Sequence, residues 1–205
     1  MLFGAALAIP AGVAAARRRG SGVDRALSFG SLLGLSLPNF ALGPVLILVV
    51  SIQLGWLPVS GAGVGVVDFL QHLILPVVTL GLGVAAILTR MVRSAMLEEL
   101  QQEYIKTARA KGLPEGQIVY RHALRNAITP ILTILGLQFG SLLAGAIVTE
   151  TIFAWPGLGR LTLSAVSNRD YPLVQGSILA IGVTYVMVNF ITDSLYAVAD
   201  PRMRP

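Results

Sequence analysis

Glu103-Tyr104-Ile105-Lys106-Thr107-Ala108-Arg109-Ala110-Lys111-Gly112-Leu113-Pro114 is a charged stretch set between two long apolar runs. Residues 94–111 favour helix: Met96, Leu97, Leu100 and Tyr104 recur three and four apart on one face, while Glu98, Glu99, Gln102 and Lys106 fall largely elsewhere. The spacing predicts an amphipathic extension of the preceding apolar run. Arg109 and Lys111 stand in its last turn, where cations complement the helix dipole, and Gly112 follows where a left-handed cap costs little. Pro114 and Glu115 suit the first turn of a second helix, with Ile118, Val119 and His122 on one side and Arg121 and Arg125 in its closing turns. Pattern alone leaves two readings, a bent element presented for docking or an ordinary solvated loop.

The flanks place this element in a membrane protein. Of 205 residues, 55% are hydrophobic and 12% charged, against roughly 25% charged in an average soluble domain, and the mean hydropathy is +0.76. A transmembrane helix takes about 20 mostly apolar residues. Such runs occupy residues 26–54, 72–90, 128–153 and 173–197, with a shorter one at 1–16. The short run is not a signal peptide by its flanks, because Arg17, Arg18 and Arg19 follow it rather than precede it. Sixteen residues reach about 24 Å, short of the roughly 30 Å hydrocarbon core, so the chain reads as beginning inside a helix.

Charge sets the orientation. Arg17, Arg18, Arg19 and Arg25, then Arg90, Arg93, Lys106, Arg109, Lys111, Arg121 and Arg125, then Arg202 and Arg204 fall on one side, thirteen of the fifteen basic residues. Only Arg160 and Arg169 fall on the other. The positive-inside rule then makes the polar loop and the C-terminus cytoplasmic. The net charge of +5 follows from this asymmetry, and without aromatic interleaving the basic residues do not read as a nucleic-acid surface. With no cysteine, and His72 and His122 far apart, no metal site is indicated. The glycine pattern of an ATP phosphate loop is missing as well, and the Gly-Leu-Gly runs at 81–83 and 157–159 lack the rest of any nucleotide fingerprint.

Within the apolar runs, Pro38 and Pro44 interrupt the second, and Ser31, Ser36 and Asn39 either satisfy freed backbone groups or face a pathway. Gly136 and Gly140 form a small-residue face suited to helix packing. Gln138, Thr149 and Glu150 join Asn39 as pathway candidates, with an outer-interface position as the alternative for Glu150. Asp193 reads as a partner-helix or near-cytoplasmic acid. The segment from Trp155 to Pro172 reads as a compact, turn-rich external loop with an interfacial aromatic and two permissive glycines.

The run Tyr104 to Leu113, followed by Arg121-His122-Ala123-Leu124-Arg125-Asn126-Ala127, resembles the cytoplasmic coupling loop of ABC-transporter inner-membrane permeases, specifically the first permease subunit of dipeptide, oligopeptide and nickel importers. Further blocks match in order: Leu54-Gly55-Trp56-Leu57-Pro58-Val59-Ser60-Gly61, Thr149 to Arg160, Asp170-Tyr171-Pro172 and Asp200-Pro201-Arg202. The general importer motif opens with Glu-Ala-Ala, where this chain has Lys106, Thr107 and Ala108; only the last alanine and Gly112 agree. Its downstream Ile-x-Leu-Pro element aligns with His122-Ala123-Leu124-Arg125. Family members also carry a further N-terminal helix and an external region ahead of the segment where Met1 stands, so the chain is expected to lack the first of six spans.

The resemblance implies an all-α, polytopic transmembrane helical bundle of about five spans with a cytoplasmic coupling helix-turn-helix, the type I importer permease fold. It implies one permease domain over 1–205, N-terminally incomplete, with the coupling loop at 91–127. No catalytic residue, metal or cofactor is implied on this chain; ATP and magnesium belong to partner ATPase subunits. The implied partners are a second, homologous permease subunit in a heterodimer, two ATPase subunits, an extracytoplasmic solute-binding protein and membrane lipid, in a bacterial or archaeal cytoplasmic membrane. Glu103, Tyr104, Thr107, Ala108, Arg109, Lys111, Gly112 and Leu113 would meet the ATPase, with Ala108 permitting close approach and Gly112 setting the bend. Trp155, Pro156, Gly157, Leu158 and Gly159 would line the outer gate or meet the binding protein. The implied cargo is a di- or oligopeptide, with nickel or glutathione-like compounds as alternatives. A different class, an ion-coupled secondary transporter, would need intramembrane acids and repeated halves; the acids are few and no clear repeat shows.

Overall fold

The computed structural model describes residues 1–199, so the Asp200-Pro201-Arg202 block, and with it Arg204, lies outside the described residues, as does the side chain of Asp193. Every regular element among the described residues is helical: α1 (Leu2–Arg17), α2 (Gly22–Ser36), α3 (Asn39–Leu46), α4 (Val66–Leu100), α5 (Glu103–Ala110), α6 (Glu115–Gln117), α7 (Leu124–Ile152), α8 (Leu158–Ser167) and α9 (Tyr171–Ala199). A π-helical segment, Ile47–Gln53, extends α3, and another, Ile118–Ala123, joins α6 to α7. By length and composition Val66–Leu100, Glu115–Leu143 and Tyr171–Ile191 each suffice to cross a membrane, and α2 with the extended α3 makes a fourth if counted as one broken span. Leu2–Arg17 is apolar but shorter.

The expected span at 26–54 is corrected to two helices. Proline has no N–H to donate and pushes the residue before it out of the helical region. Pro38 itself is extended (ψ 143°), and its carbonyl accepts from the N–H groups of Ala41 and Leu42 to start α3. Pro44 is accommodated inside α3. The two serines turn out to be backbone partners: Ser31 Oγ donates to the Leu27 carbonyl at 2.8 Å and Ser36 Oγ to that of Leu32 at 2.9 Å.

One compact unit comprises Met1–Ser36, Val84–Leu137 and the end of α9 from Thr192. Its core is Ala8, Val13 and Ala16 of α1, Leu88, Val92 and Met96 of α4, Ile105 and Ala108 of α5, and Ile118, Val119 and Ala123 of the π segment. Helices α1 and α4 touch closely at Gly12, where a Cβ would stand 2.6 Å from Val92 Cβ and 2.9 Å from the Thr89 carbonyl. Small residues commonly allow such approach between membrane helices. Asp24, at the start of α2, is buried and held by Arg93 of α4 in a two-pronged ion pair, Nε to Oδ1 at 2.6 Å and Nη2 to Oδ2 at 2.9 Å. The Gly20 N–H (2.9 Å) and Ser28 Oγ (3.4 Å) also donate to its carboxylate.

The second unit comprises Leu37–Gly83 and Gln138–Ile191. Its turn-rich Leu54–Gly61 block is pinned at both ends: Ser51 Oγ donates to the Pro58 carbonyl (3.2 Å), and the Gly61 N–H to the carbonyl of Phe153 (2.8 Å). Gly140 packs against the Tyr185 ring of α9, 3.5 Å from where its Cβ would be, the helix-packing use expected of that glycine.

Candidate coupling surface, outer loop and pathway residues

The expected continuous helix over 94–111 is interrupted. Helix α4 ends at Leu100, and Gln102 is extended (ψ 150°) with its carbonyl accepting from Ile105 and Lys106 as α5 begins. No glycine or proline marks the break. Its reason is tertiary: the turn buries Ile105 fully and Ala108 nearly so in the core of this unit. An eight-residue helix is marginal on its own in water, and burying one isoleucine contributes about 1.5–3 kcal/mol.

The end of α5 follows the expected cap. The Leu113 N–H reaches the Ala108 carbonyl (3.2 Å) and the Gly112 N–H that of Arg109 (2.9 Å), a paired pattern closed by Gly112 at φ +75°. Open space surrounds the position a Gly112 Cβ would take. Glycine is required there for its backbone conformation, not for room. Across the turn Arg109 Nε meets Glu115 Oε1 at 2.6 Å, and within α5 Lys106 Nζ meets Glu103 Oε1 at 2.7 Å. Both pairs are exposed and contribute little to stability.

Of the residues expected at the ATPase, Glu103, Tyr104, Thr107, Arg109, Lys111 and Gly112 are exposed. Ala108 is corrected: its small side chain permits close approach to this chain's own core, and Leu113 packs half-buried beside it. Tyr104 donates its hydroxyl to Glu99 (2.5 Å) and accepts from Asn126 Nδ2 (3.0 Å), which ties α5 to the end of α4 and the start of α7. Burial first, then the Glu99 carboxylate, push its phenol up to about 12. It therefore keeps its proton, and its bond to Glu99, throughout the neutral range. The second arm of the expected helix-turn-helix is not a separate helix, since α6, the π segment and α7 run on without interruption.

The segment from Trp155 to Pro172, expected outside, is more ordered than a turn-rich loop. After Ala154, in the left-handed region at φ 47°, Trp155 packs on Phe69 with ring centroids 5.3 Å apart and tilted 55°. Helix α8 then begins. Its N-cap, Gly157, has no side chain to offer, and the missing acceptor is supplied by Glu150 of α7, whose Oε2 takes the Arg160 N–H at 2.9 Å. A carboxylate there also suits the positive end of the helix dipole. Neither loop glycine has a positive φ. A Cβ on Gly157 would lie 2.1 Å from Glu150 Cδ, and one on Gly159 would lie 2.8 Å from the Ile147 Cα. These glycines make room; the expected conformational role is corrected. Replacing Glu150 with alanine should cost about 1 kcal/mol of local stability and speed amide exchange in Leu158–Ser167. Unchanged protection there would refute the capping role.

The pathway candidates are arranged unevenly. Asn39 wedges between two glycines, its amide oxygen 3.2 Å from the Cβ position of Gly83 and its amide nitrogen 3.2 Å from that of Gly145. Thr149 is 2% exposed and donates to the Gly145 carbonyl at 3.0 Å, and Glu150 is engaged with α8. Gln138 lies half-buried on the same stripe of α7 as Gly145 and Thr149. Both glycines and the pair Asp24 and Arg93 were missed from sequence, because each acts on a residue distant along the chain.

Residues 8–205 match the family described as the binding-protein-dependent transport system inner membrane component. The chain is 46% identical to the di/tripeptide transport system permease protein DppB of Pseudomonas aeruginosa over 227 residues, covering all of this chain and 68% of that one. It is 45% identical to the glutathione transport system permease protein GsiC of Escherichia coli K12 over 204 residues, covering all of this chain and 65% of that one, so it spans about two thirds of these relatives. In fold it is similar to the inward-facing MetNI methionine ABC transporter, with a TM-score of 0.77 at 20% identity over 97% of this chain and 88% of that chain. A helical chain with several membrane-length apolar helices, a capped surface helix between two of them and a family match over nearly its whole length belongs to the binding-protein-dependent transport system inner membrane components, the permeases of ABC importers, which are transport subunits and not enzymes.

Proposed function

We propose that the chain is a permease subunit that passes short peptides across the cytoplasmic membrane, driven by ATPase subunits docked on α5. The observation that carries this reading is the construction of α5. Ile105 and Ala108 grip the chain's own core, while Glu103, Tyr104, Thr107, Arg109 and Lys111 are left on the outside. A docking partner can therefore move the whole unit rather than a slack loop. In this reading the basic loops and α5 are cytoplasmic, the ATPases hold ATP and magnesium, and a second homologous permease completes the pathway. Asn39 and Gln138 face that pathway. The outer groove along Pro156, Leu158, Arg160 and Leu161, about 510 Å³, receives the solute-binding protein. Short peptides are the favoured cargo because the two relatives are named for di/tripeptides and for glutathione, itself a tripeptide.

Gly112→Val tests the coupling role in the full-length subunit co-expressed with its partners. A β-branched residue in the left-handed region costs about 1–2 kcal/mol, so peptide uptake should fall about tenfold while basal ATP hydrolysis continues. Normal uptake coupled to hydrolysis would refute the assignment.

A further inference from the structure

Beside α5 lies a cavity of about 540 Å³ lined by Tyr104, Arg121, His122, Arg125 and Asn126. Arg121 and Arg125 are one turn apart and both exposed. Elsewhere in this unit Arg93, Lys106 and Arg109 have carboxylate partners in Asp24, Glu103 and Glu115. Among the described residues neither Arg121 nor Arg125 forms an ion pair. No acidic residue is among the lining, and the Glu99 carboxylate accepts the hydroxyl of the lining Tyr104. The cavity is thus lined by two arginines and no acid.

Its level along the helix identifies the occupant. Directly after Asn126 the sequence turns apolar, Ala127-Ile128-Thr129-Pro130-Ile131-Leu132, within the stretch long and apolar enough to cross a membrane. Arg125 is the last charged residue before an uncharged run that continues to Thr149, the place in a membrane helix where a basic side chain meets the headgroups. Guanidinium groups bind phosphate through paired donors, and basic pockets on the cytoplasmic side of membrane helices hold anionic headgroups. We propose that this cavity seats the phosphate of an anionic phospholipid, at the point where α5 is tied to α7 through Tyr104 and Asn126. The leaflet rests on the orientation proposed above; the binding itself does not.

The test is lipid retention by the full-length permease complex, purified from nanodiscs containing equal phosphatidylglycerol and phosphatidylcholine and read by native mass spectrometry. Wild type should retain phosphatidylglycerol preferentially, and Arg121→Gln with Arg125→Gln should reduce that preference about thirtyfold. Arg18→Gln with Arg19→Gln, which removes the same charge elsewhere, should leave it intact. Equal loss in both double variants would overturn the site in favour of diffuse attraction. Displacement of the lipid by inorganic phosphate that is itself retained would overturn the lipid assignment. A cavity variant that keeps its lipid preference but loses its ATPase subunits would assign the arginines to a protein carboxylate instead. Loss of ATPase association by the wild type would count against the coupling reading and leave the lipid result standing.

Discussion

Arg93→Ala should destabilise the unit that carries α5 by about 3–5 kcal/mol, the usual consequence of leaving a buried charge without its partner. Asp24 is 4% exposed, so water does not replace the lost guanidinium, and the Gly20 N–H and Ser28 hydroxyl cannot neutralise a full charge. Arg93→Ala with Asp24→Ala should be less damaging than the sum of the single changes, because the double variant buries no lone charge. The midpoint of thermal unfolding in detergent, measured on the purified complex for both singles and the double, checks this. Strict additivity, or a nearly silent Arg93→Ala, would show the pair to be incidental. The expected loss is large because the pair joins elements 69 residues apart in sequence, fixing the start of α2 to the far end of α4.

Gly159→Val should be the most disruptive single change in the segment from Trp155 to Pro172. A Cβ alone would stand 2.7 Å from Ile147 Cγ1 and 2.8 Å from the Ile147 Cα, and backbone of a packed helix cannot step aside as a side-chain tip can. Overpacking of this kind costs about 1–3 kcal/mol. It should lift α8 from α7 and break the bond between Glu150 and the Arg160 N–H. Gly157→Ala should do less, since its nearest contacts are with the end of the Glu150 side chain. Amide exchange over Leu158–Ser167 would rank the two. If Gly157→Ala loosened α8 more than Gly159→Val, close backbone approach would not be what the second glycine provides.

What could be read from sequence was local or periodic. Apolar length disclosed the long helices α4, α7 and α9 though not the break at Pro38, and Gly112 disclosed the cap, because a helix end with cations before a glycine has few other solutions. The break at Gln101 and Gln102 left no trace, since its cause is the burial of Ile105 and not turn chemistry. Helix α8 was hidden behind Pro156, Gly157 and Gly159, whose glycines suggest a flexible turn although they are spacers for Glu150 and Ile147. Asp24 stood in plain view as an acid among Arg17, Arg18, Arg19 and Arg25. Nothing in its neighbourhood named Arg93 as its partner. For the pathway candidates, composition marked Asn39, Gln138, Thr149 and Glu150 as polar within apolar runs, but only packing distinguished a hydroxyl returned to its own helix from an amide wedged between glycines.

The π-helical segment Ile118–Ala123 gives the arm that follows α5 an unusual tolerance. A π turn behaves as an α-helix into which one residue has been inserted, so the rod from Glu115 into α7 holds one residue more than its length requires. Removing a single residue between Ile118 and Ala123 would relax that segment to ordinary α geometry with both of its ends still in phase. The same deletion in the middle of α4 would rotate every later side chain by about 100°, carrying Met96 out of the core and Arg93 away from Asp24. Length variation in this arm is therefore expected to gather at the wide turn, where the helix can lose a residue without turning its face.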